Sequence, residues 1–255
     1  MVMKFLITND DGFDGPGLAA LYHALNALGD VRVVAPAVCH SAKGHAVNTH
    51  SPIRVERRSV APFGMIEIVD SSPADCVRVG LCAPGGERPD FVVSGINTGA
   101  NLGVDLFYSG TAAAARESAI LGVPALAVSR YLKPGVSINW QNLAQHVTTV
   151  VRTLISDAHS LKPGCFWNVN FPAIEDDQHP QDITFAPQGV LSHDIGFRAQ
   201  PDSSDENVTI MEYTGDFRAR GKSGECDVTR LFDGQITATP IDLCTTAPHP
   251  SFLKS

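Results

Sequence analysis

The stretch that most limits what this chain can become is Phe5-Leu6-Ile7-Thr8-Asn9-Asp10-Asp11-Gly12. Phe5 to Thr8 is apolar and β-branched with no charge, and it runs straight into two adjacent carboxylates and a glycine. A short apolar run bounded by turn residues reads as a strand buried on both faces, as in a parallel sheet. Gly12, Gly15, Pro16 and Gly17 then turn the chain into a segment whose apolar residues Leu18, Leu21, Leu25 and Leu28 have helical spacing. In open α/β sheets ligands bind beyond the carboxyl ends of the strands, so Asp10 and Asp11 stand where a site is expected. Two adjacent carboxylates repel and raise at least one pKa unless a cation or strong donors intervene. Turn chemistry is the competing account, because Asp-Gly is a common turn pair.

The pattern repeats downstream. Val31 to Ala35 is a second buried-type strand, stopped by Pro36 and followed by a polar loop, His40-Ser41-Ala42-Lys43-Gly44-His45. Shorter β-like runs, Ile53 to Arg57 and Met65 to Val69, flank a Pro-Phe-Gly turn. Ser72-Pro73-Ala74-Asp75 has the order of a helix start: cap, proline at the first position, acid in the first turn. Phe91 to Ser94 is a third buried strand, opening into Gly95-Ile96-Asn97-Thr98-Gly99-Ala100-Asn101-Leu102-Gly103 and then Tyr108-Ser109-Gly110-Thr111 ahead of a helix over Ala112 to Leu121. Small residues before a helix N-terminus let backbone N–H groups approach an anion, so Ser109-Gly110-Thr111 reads as a phosphate cradle. The spacing fits neither a P-loop nor a dinucleotide fingerprint. Ala125 to Ser129, a long helix through Trp140, Leu143, Val147, Val150 and Leu154, and a strand over Phe166 to Asn170 complete an alternation that predicts an α/β fold with a mostly parallel sheet flanked by helices. Beyond Ile183 the character changes. Residues 196–230 are polar and β-leaning, with too little core to stand alone, and Gln235 to Pro240 is a last strand.

Length permits one full core with an appended arm. The net charge of −8 argues against a protein that coats nucleic acid. Six scattered cysteines without a CxxC pair read as reduced thiols in the cytoplasm. Phe5-Leu6-Ile7 is too short for a secretory segment, and no stretch approaches the roughly 20 apolar residues that span a bilayer.

If the first three buried strands lie parallel, Asp10, Asp11, Ser41 and Asn97 share one sheet edge. Carboxylate, hydroxyl and amide oxygens without cysteine suit Mg²⁺ or Mn²⁺ better than zinc. Ser41 and Asn97 acting as loop caps is the alternative. Taken together, Asn9-Asp10-Asp11-Gly12, Ala35-Pro36 with Ser41, Ser72-Pro73-Ala74-Asp75-Cys76, Ser94-Gly95-Ile96-Asn97 with Asn101, and Ser109-Gly110-Thr111 resemble the stationary-phase survival family SurE. That family comprises metal-dependent 5′(3′)-nucleotidases or acid phosphatases. The resemblance is dense over residues 4 to about 130 and extends weakly to Asn168-Val169-Asn170-Phe171-Pro172 and Thr239-Pro240.

The resemblance implies a Rossmann-like catalytic core over 1–188, a β-hairpin arm over 189–232 exchanged within a homodimer or homotetramer, and a strand and tail over 233–255 completing the core. It also implies one divalent cation per subunit on Asp10, Asp11, Ser41 and Asn97. Phosphate falls to Asn9, Asn97, Asn101, Ser109, Gly110 and Thr111, and Asp10 or Asp11 takes the proton from water. His40, Lys43 and His45 are candidate contacts to the leaving group or substrate. The expected substrate is a nucleoside monophosphate. General phosphatase or exopolyphosphatase activity, and a metal–nucleotide binding module without turnover, are the rival readings. The chain departs from the family at Cys39-His40, where a basic residue is usual, and at Ser71-Ser72, where Gly-Thr is usual. It also carries Asp242 two positions early, with Cys244 where the aspartate would fall.

Overall fold

The computed structural model describes residues 2–156, 159–174, 180, 182–201, 205, 207–221 and 224–244; residues 245–255 of the strand and tail expected over 233–255 lie outside them. In chain order the elements are β1 (Met3–Thr8), α1 (Pro16–Asn26), β2 (Gly29–Pro36), β3 (Val55–Val60), β4 (Gly64–Val69), α2 (Pro73–Cys82), β5 (Phe91–Thr98), a 3-10 turn at Gly103–Phe107, α3 (Gly110–Ile120), β6 (Ala125–Arg130), α4 (Trp140–Leu154), β7 (Cys165–Phe171), β8 (Ile183–Phe185), β9 (Phe197–Pro201), β10 (Thr209–Tyr213), α5 (Asp227–Phe232) and β11 (Ile236–Asp242).

Strand order is β3-β4-β2-β1-β5-β6-β7-β11-β8. The run from β4 to β7 is parallel throughout, while β3 on β4 and β11 on β7 are antiparallel. Numbering the six parallel strands by sequence gives the order 3-2-1-4-5-6, which is that of the Rossmann fold. The chain builds outward from β1 on one side, then returns to lay β5 against the other side of β1. The switch point between β1 and β5 is where such sheets open a crevice for ligand.

The strand runs earn their burial on two faces. Phe5 and Ile7 face the layer formed by α1 and α4, with Leu18, Leu21, Val147 and Val151. Leu6 points the other way, toward α2 and α3, with Val77, Ala112 and Ala115. Each fully buried side chain of this size contributes roughly 1.5–3 kcal/mol, so β1 alone anchors both layers. Ser72 caps α2 as its sequence predicts, its hydroxyl accepting from the Asp75 N–H at 3.1 Å.

Two elements differ from the sequence reading in ways that matter for the site. The strand expected at Phe91–Ser94 continues to Thr98, and its register against β6 breaks between Ser94 and Asn97. Such a bulge re-aims the side chain that follows it. Gly95, at φ +139°, is the residue that permits it. The polar segment beyond Ile183 supplies β9 and β10, which form a separate antiparallel hairpin. It also supplies α5, whose Val228 and Leu231, with the N-cap Cys226, pack on Leu102 in the β5–α3 loop.

Among the described residues, which include all six cysteines, no disulfide is formed, and no helix is long and apolar enough to cross a membrane.

Candidate active site

A cavity of about 470 Å³ opens at the switch point, and Asp10, Ser41, Asn97, Asn101 and Ser109 contribute to its lining. These five stand at or after the ends of β1, β2 and β5 or cap α3, and three of them, Asp10, Ser41 and Asn97, are among the four that the sequence puts on one sheet edge. Asp11 is half-buried beside this wall without forming part of it, and its Oδ2 accepts from the Thr98 N–H at 3.4 Å.

Asp10 is the most constrained of the set. It is 4% exposed. Burial, and to a smaller extent the charge of Asp11, push its carboxyl up to about 6, although donors from Thr111 pull the other way. The Thr111 hydroxyl donates to Asp10 Oδ1 at 2.6 Å, and the Thr111 backbone N–H also bonds the carboxylate. The N-terminus of α3, with its partial positive charge, is therefore directed at Asp10. The Thr111 hydroxyl, expected to face phosphate, is bonded to Asp10 here, and Gly110 lies against the same carboxylate. A methyl at Gly110 would lie 2.8 Å from Asp10 Cβ and 3.0 Å from Oδ2.

The remaining polar atoms can be assigned by what they are already doing. Asn97 Nδ2 donates to the Gly99 carbonyl at 2.7 Å, which leaves Oδ1 as its ligand atom. Ser109 Oγ accepts from the Ala112 N–H at 2.9 Å and keeps its proton for a ligand. Asn101 Nδ2 donates to Ser129 Oγ at 2.8 Å and retains a second N–H. Asn9 lies behind the cavity, its Nδ2 on the Gly12 carbonyl at 2.8 Å, with a buried Oδ1 that has no donor. It forms the turn after β1.

The three basic candidates of the Ser41 loop are not among the residues that line the cavity, whereas Ser41 and Ala42 are. His40 contributes its backbone N–H to the Asp10 carbonyl at 2.7 Å, and burial, then the Lys43 charge, lower its ring pKa. Lys43 is solvent-exposed. His45 Nε2 is 2.7 Å from Glu117 Oε2 on α3, and Arg78 Nε donates to Glu117 Oε1 at 2.8 Å. This triad pins the Ser41 loop to the helix beneath it. Burial works against the Glu117 charge, but the His45 and Arg78 bonds outweigh it and hold the carboxyl below its ordinary 4.5. A depressed carboxyl contributes stability that is present above its unfolded value and is lost as pH falls through the folded one. Glu117→Gln is therefore expected to destabilise by about 1–3 kcal/mol at pH 7. The gap from wild type should close as pH drops below 4.5, measured by urea unfolding at both ends of that range. A gap of constant size would contradict it.

Sequence reading missed the frame that holds Asn101. Asn170 Oδ1 accepts the Asn101 N–H, while Asn168 and Asn170 each donate a side-chain N–H to the Asn101 carbonyl, all at 2.9 Å. The signal was present: two asparagines at alternate positions of a buried strand need partners. It also missed Asp105, which lines the cavity and is held by Arg220 Nη2 at 2.8 Å, and the arm residues His193, Ile195, Tyr213 and Phe217 in the same lining.

The donor set is all oxygen. Among the described residues no group of three or more His, Cys, Asp or Glu is placed to hold a metal, so a cation here would draw on Ser41 and Asn97 beside the two aspartates. A buried carboxylate next to a second one, with an amide oxygen and a hydroxyl nearby, fits a hard divalent ion that keeps several waters.

Comparison with known proteins gives the family and the fold. The family described as Survival protein SurE matches residues 5–193. A Thermus thermophilus protein named 5′-nucleotidase SurE 1 is 46% identical over 251 residues, 96% of this chain and 94% of its own length. A Geotalea daltonii protein named 5′-nucleotidase SurE is 36% identical over 242 residues, covering 94% of this chain and 93% of its own. The crystal structure of the SurE protein from Aquifex aeolicus superposes with a TM-score of 0.80 at 30% identity, over 95% of this chain and 94% of that one. With the Rossmann strand order, the oxygen-lined cavity at its switch point and these matches in hand, the chain belongs to the SurE survival protein family.

Proposed function

We propose that the protein is a divalent-metal-dependent 5′-nucleotidase, acting also on 3′-monophosphates, that works in the cytoplasm. The observation that carries this reading is the meeting of Asp10, Ser41, Asn97, Asn101 and Ser109 around one cavity at the β1–β5 switch point. The names of the relatives support the substrate class.

Asp10, Asp11, Ser41 and Asn97 would hold Mg²⁺ or Mn²⁺, which when bound polarises a phosphate oxygen and acidifies a water. The chain's own groups do the rest. Thr111 and the α3 N-terminus keep Asp10 ionised and immobile, leaving Oδ2 as the acceptor that faces the reacting phosphate and its attacking water. The Ser109 hydroxyl and the second Asn101 N–H donate to phosphate oxygens, and the Asn168–Asn170 frame fixes Asn101 in place. As the water oxygen bonds to phosphorus and the P–O bond to the nucleoside breaks, one water proton passes to a carboxylate, and the departing oxygen takes up a proton from solvent, to which the carboxylate then returns its own. Donors already aimed at the developing charge need no reorganisation, which is where such sites gain rate.

Assembly into a homodimer or homotetramer through the hairpin is part of the proposal. Phe197 and Met211 stand 63% and 61% exposed on the β9–β10 hairpin, and a two-stranded hairpin is marginally stable without further packing.

Phosphate release is the test, with Mg²⁺ or Mn²⁺ and across 5′-AMP, 3′-AMP, p-nitrophenyl phosphate and polyphosphate. The expected result is cation-dependent release with 5′-AMP the best substrate. Release independent of added cation, or confined to polyphosphate, would overturn the reading.

A further inference from the structure

The 3-10 turn Gly103–Phe107 leads the chain to Ser109, and the arm with its lead-in bonds that turn at its start and at its centre. At the start, the Asp227 carboxylate accepts the Gly103 N–H at 2.8 Å, and Gln188 Nε2 donates to the Gly103 carbonyl at 2.7 Å. At the centre, Asp105 Oδ2 accepts from Arg220 Nη2 at 2.8 Å, and His193 Nδ1 lies 3.3 Å from Asp105 Oδ1. The Asp105 carbonyl then accepts the N–H groups of Tyr108 at 2.9 Å and of Ser109 at 3.1 Å. Asp105 thus joins the arm through its side chain and Ser109 through its backbone. Arg220 is the unusual partner. Its side chain is fully buried, its Nε–H donates to the Phe217 carbonyl at 3.0 Å, and its guanidinium carbon lies 4.1 Å from the centroid of the Phe217 ring. Its Nη1 has no acceptor among the described residues. A buried donor left unmatched costs stability, and a buried ion pair is often no more stabilising than apolar groups of the same volume. What the ion pair adds is direction: a planar guanidinium held on the Phe217 ring and carbonyl presents Nη2 to Asp105 at a fixed angle.

Resting on the nucleotidase reading, we propose that Arg220 is a positioning residue for phosphate: through Asp105 it sets the direction of the Ser109 hydroxyl, without itself lining the cavity. Ser109 is held from two sides. Its oxygen accepts the Ala112 N–H at 2.9 Å on the α3 side, and its backbone is tied to the Asp105 carbonyl on the other. Once Asp105 is released, the turn keeps its anchor at Gly103 but loses the one at its centre, so the hydroxyl shifts and its bond to phosphate weakens. The cation ligands do not pass through this turn. Asp10 and Asp11 follow β1, Ser41 follows β2 and Asn97 lies in β5. Thr111, which holds Asp10, belongs to α3, whose Ala112, Ala114 and Ala115 are packed into the core. Loss of Arg220 is therefore expected to weaken phosphate and spare the cation, a separation that a general loosening of the fold does not give.

The experiment measures, by calorimetry on the full chain, the binding of Mn²⁺ alone and of inorganic phosphate in the presence of Mn²⁺, alongside kcat and KM for 5′-AMP. In Arg220→Met, phosphate is expected to bind about tenfold more weakly and kcat/KM to fall by at least as much, while the Mn²⁺ dissociation constant stays within about twofold of wild type. Arg220→Met leaves the Asp105 charge buried and unpaired, which can unfold a protein. The double variant Arg220→Met with Asp105→Asn removes both charges, a change that can be nearly neutral for stability, and the same loss of phosphate affinity is expected in it. Phosphate affinity within about twofold of wild type in the variants that fold would overturn the proposal. So would phosphate and Mn²⁺ weakening together, or a double variant that does not fold, since either makes Arg220 a support of the fold alone. If the wild type binds phosphate but releases none from 5′-AMP, the nucleotidase reading has failed and the calorimetry still decides for Arg220. A wild type that binds no phosphate overturns both.

Discussion

Replacing Asp10 with asparagine is expected to lower kcat/KM for 5′-AMP by about 10³-fold or more, roughly 4 kcal/mol of transition-state stabilisation, while the metal-free protein melts no lower than wild type. Function and stability should move apart because Asp10 is costly to the fold. It is 4% exposed, lies next to a second carboxylate, and burial drives its carboxyl upward. Asparagine fills the same space, still accepts the Thr111 hydroxyl that lies 2.6 Å from Oδ1, and buries no charge. What it loses is Oδ2, the oxygen on the Gly110 side, which becomes an N–H₂ that repels a cation. The second readout is thermal. A cation that binds only the folded protein stabilises it by about 2.7 kcal/mol at 100 times its dissociation constant. Mn²⁺ should therefore raise the wild-type Tm and leave Asp10→Asn unmoved. A variant that keeps activity within tenfold of wild type, or that still gains Tm with Mn²⁺, would remove Asp10 from the cation site.

How far the sequence foretold this site depends on the distance over which each residue's signal acts. The end of β1 was readable because a charge-free run that stops at two aspartates and a glycine leaves few other conformations. Ser41 and Asn97 followed once three strands were placed in one parallel sheet, since that places their carboxyl ends on one edge. The direction of the α3 N-terminus was not readable. Gly110 and Thr111 look the same in sequence whether they face a phosphate or a carboxylate of their own chain, and only the packing of α3 against β1 decides for Asp10. His45 was unreadable for a similar reason: a loop histidine becomes structural only when a helix brings Glu117 to 2.7 Å, and those residues lie 72 positions apart. The arm's part in the cavity was the least legible. His193, Tyr213 and Phe217 carry no local pattern, and they meet Asp105 through a network that spans 115 residues between Asp105 and Arg220.

The glycine beneath Asp10 sets two physical rules against each other, and its replacement measures which prevails. Gly110 opens α3, and it is not among the positive-φ glycines. Helix propensity alone therefore predicts that Gly110→Ala stabilises, by up to about 1 kcal/mol. The added methyl, however, would stand 2.8 Å from Asp10 Cβ and 3.0 Å from Oδ2. Asp10 has little room to yield, since Thr111 holds Oδ1 and the His40 N–H is bonded to its carbonyl at 2.7 Å. Either α3 or the carboxylate must shift by several tenths of an ångström. Stability hardly registers such a shift, because the helix gains what the contact loses. Catalysis does register it, since a misplacement of about 1 Å can cost about 10²-fold. Gly110→Ala should accordingly keep its Tm within a few degrees of wild type, lose about 100-fold in kcat/KM, and bind Mn²⁺ more weakly by calorimetry. Wild-type kinetics in this variant would mean that Asp10 tolerates displacement, and the helix N-terminus would then be supporting the fold without tuning the chemistry.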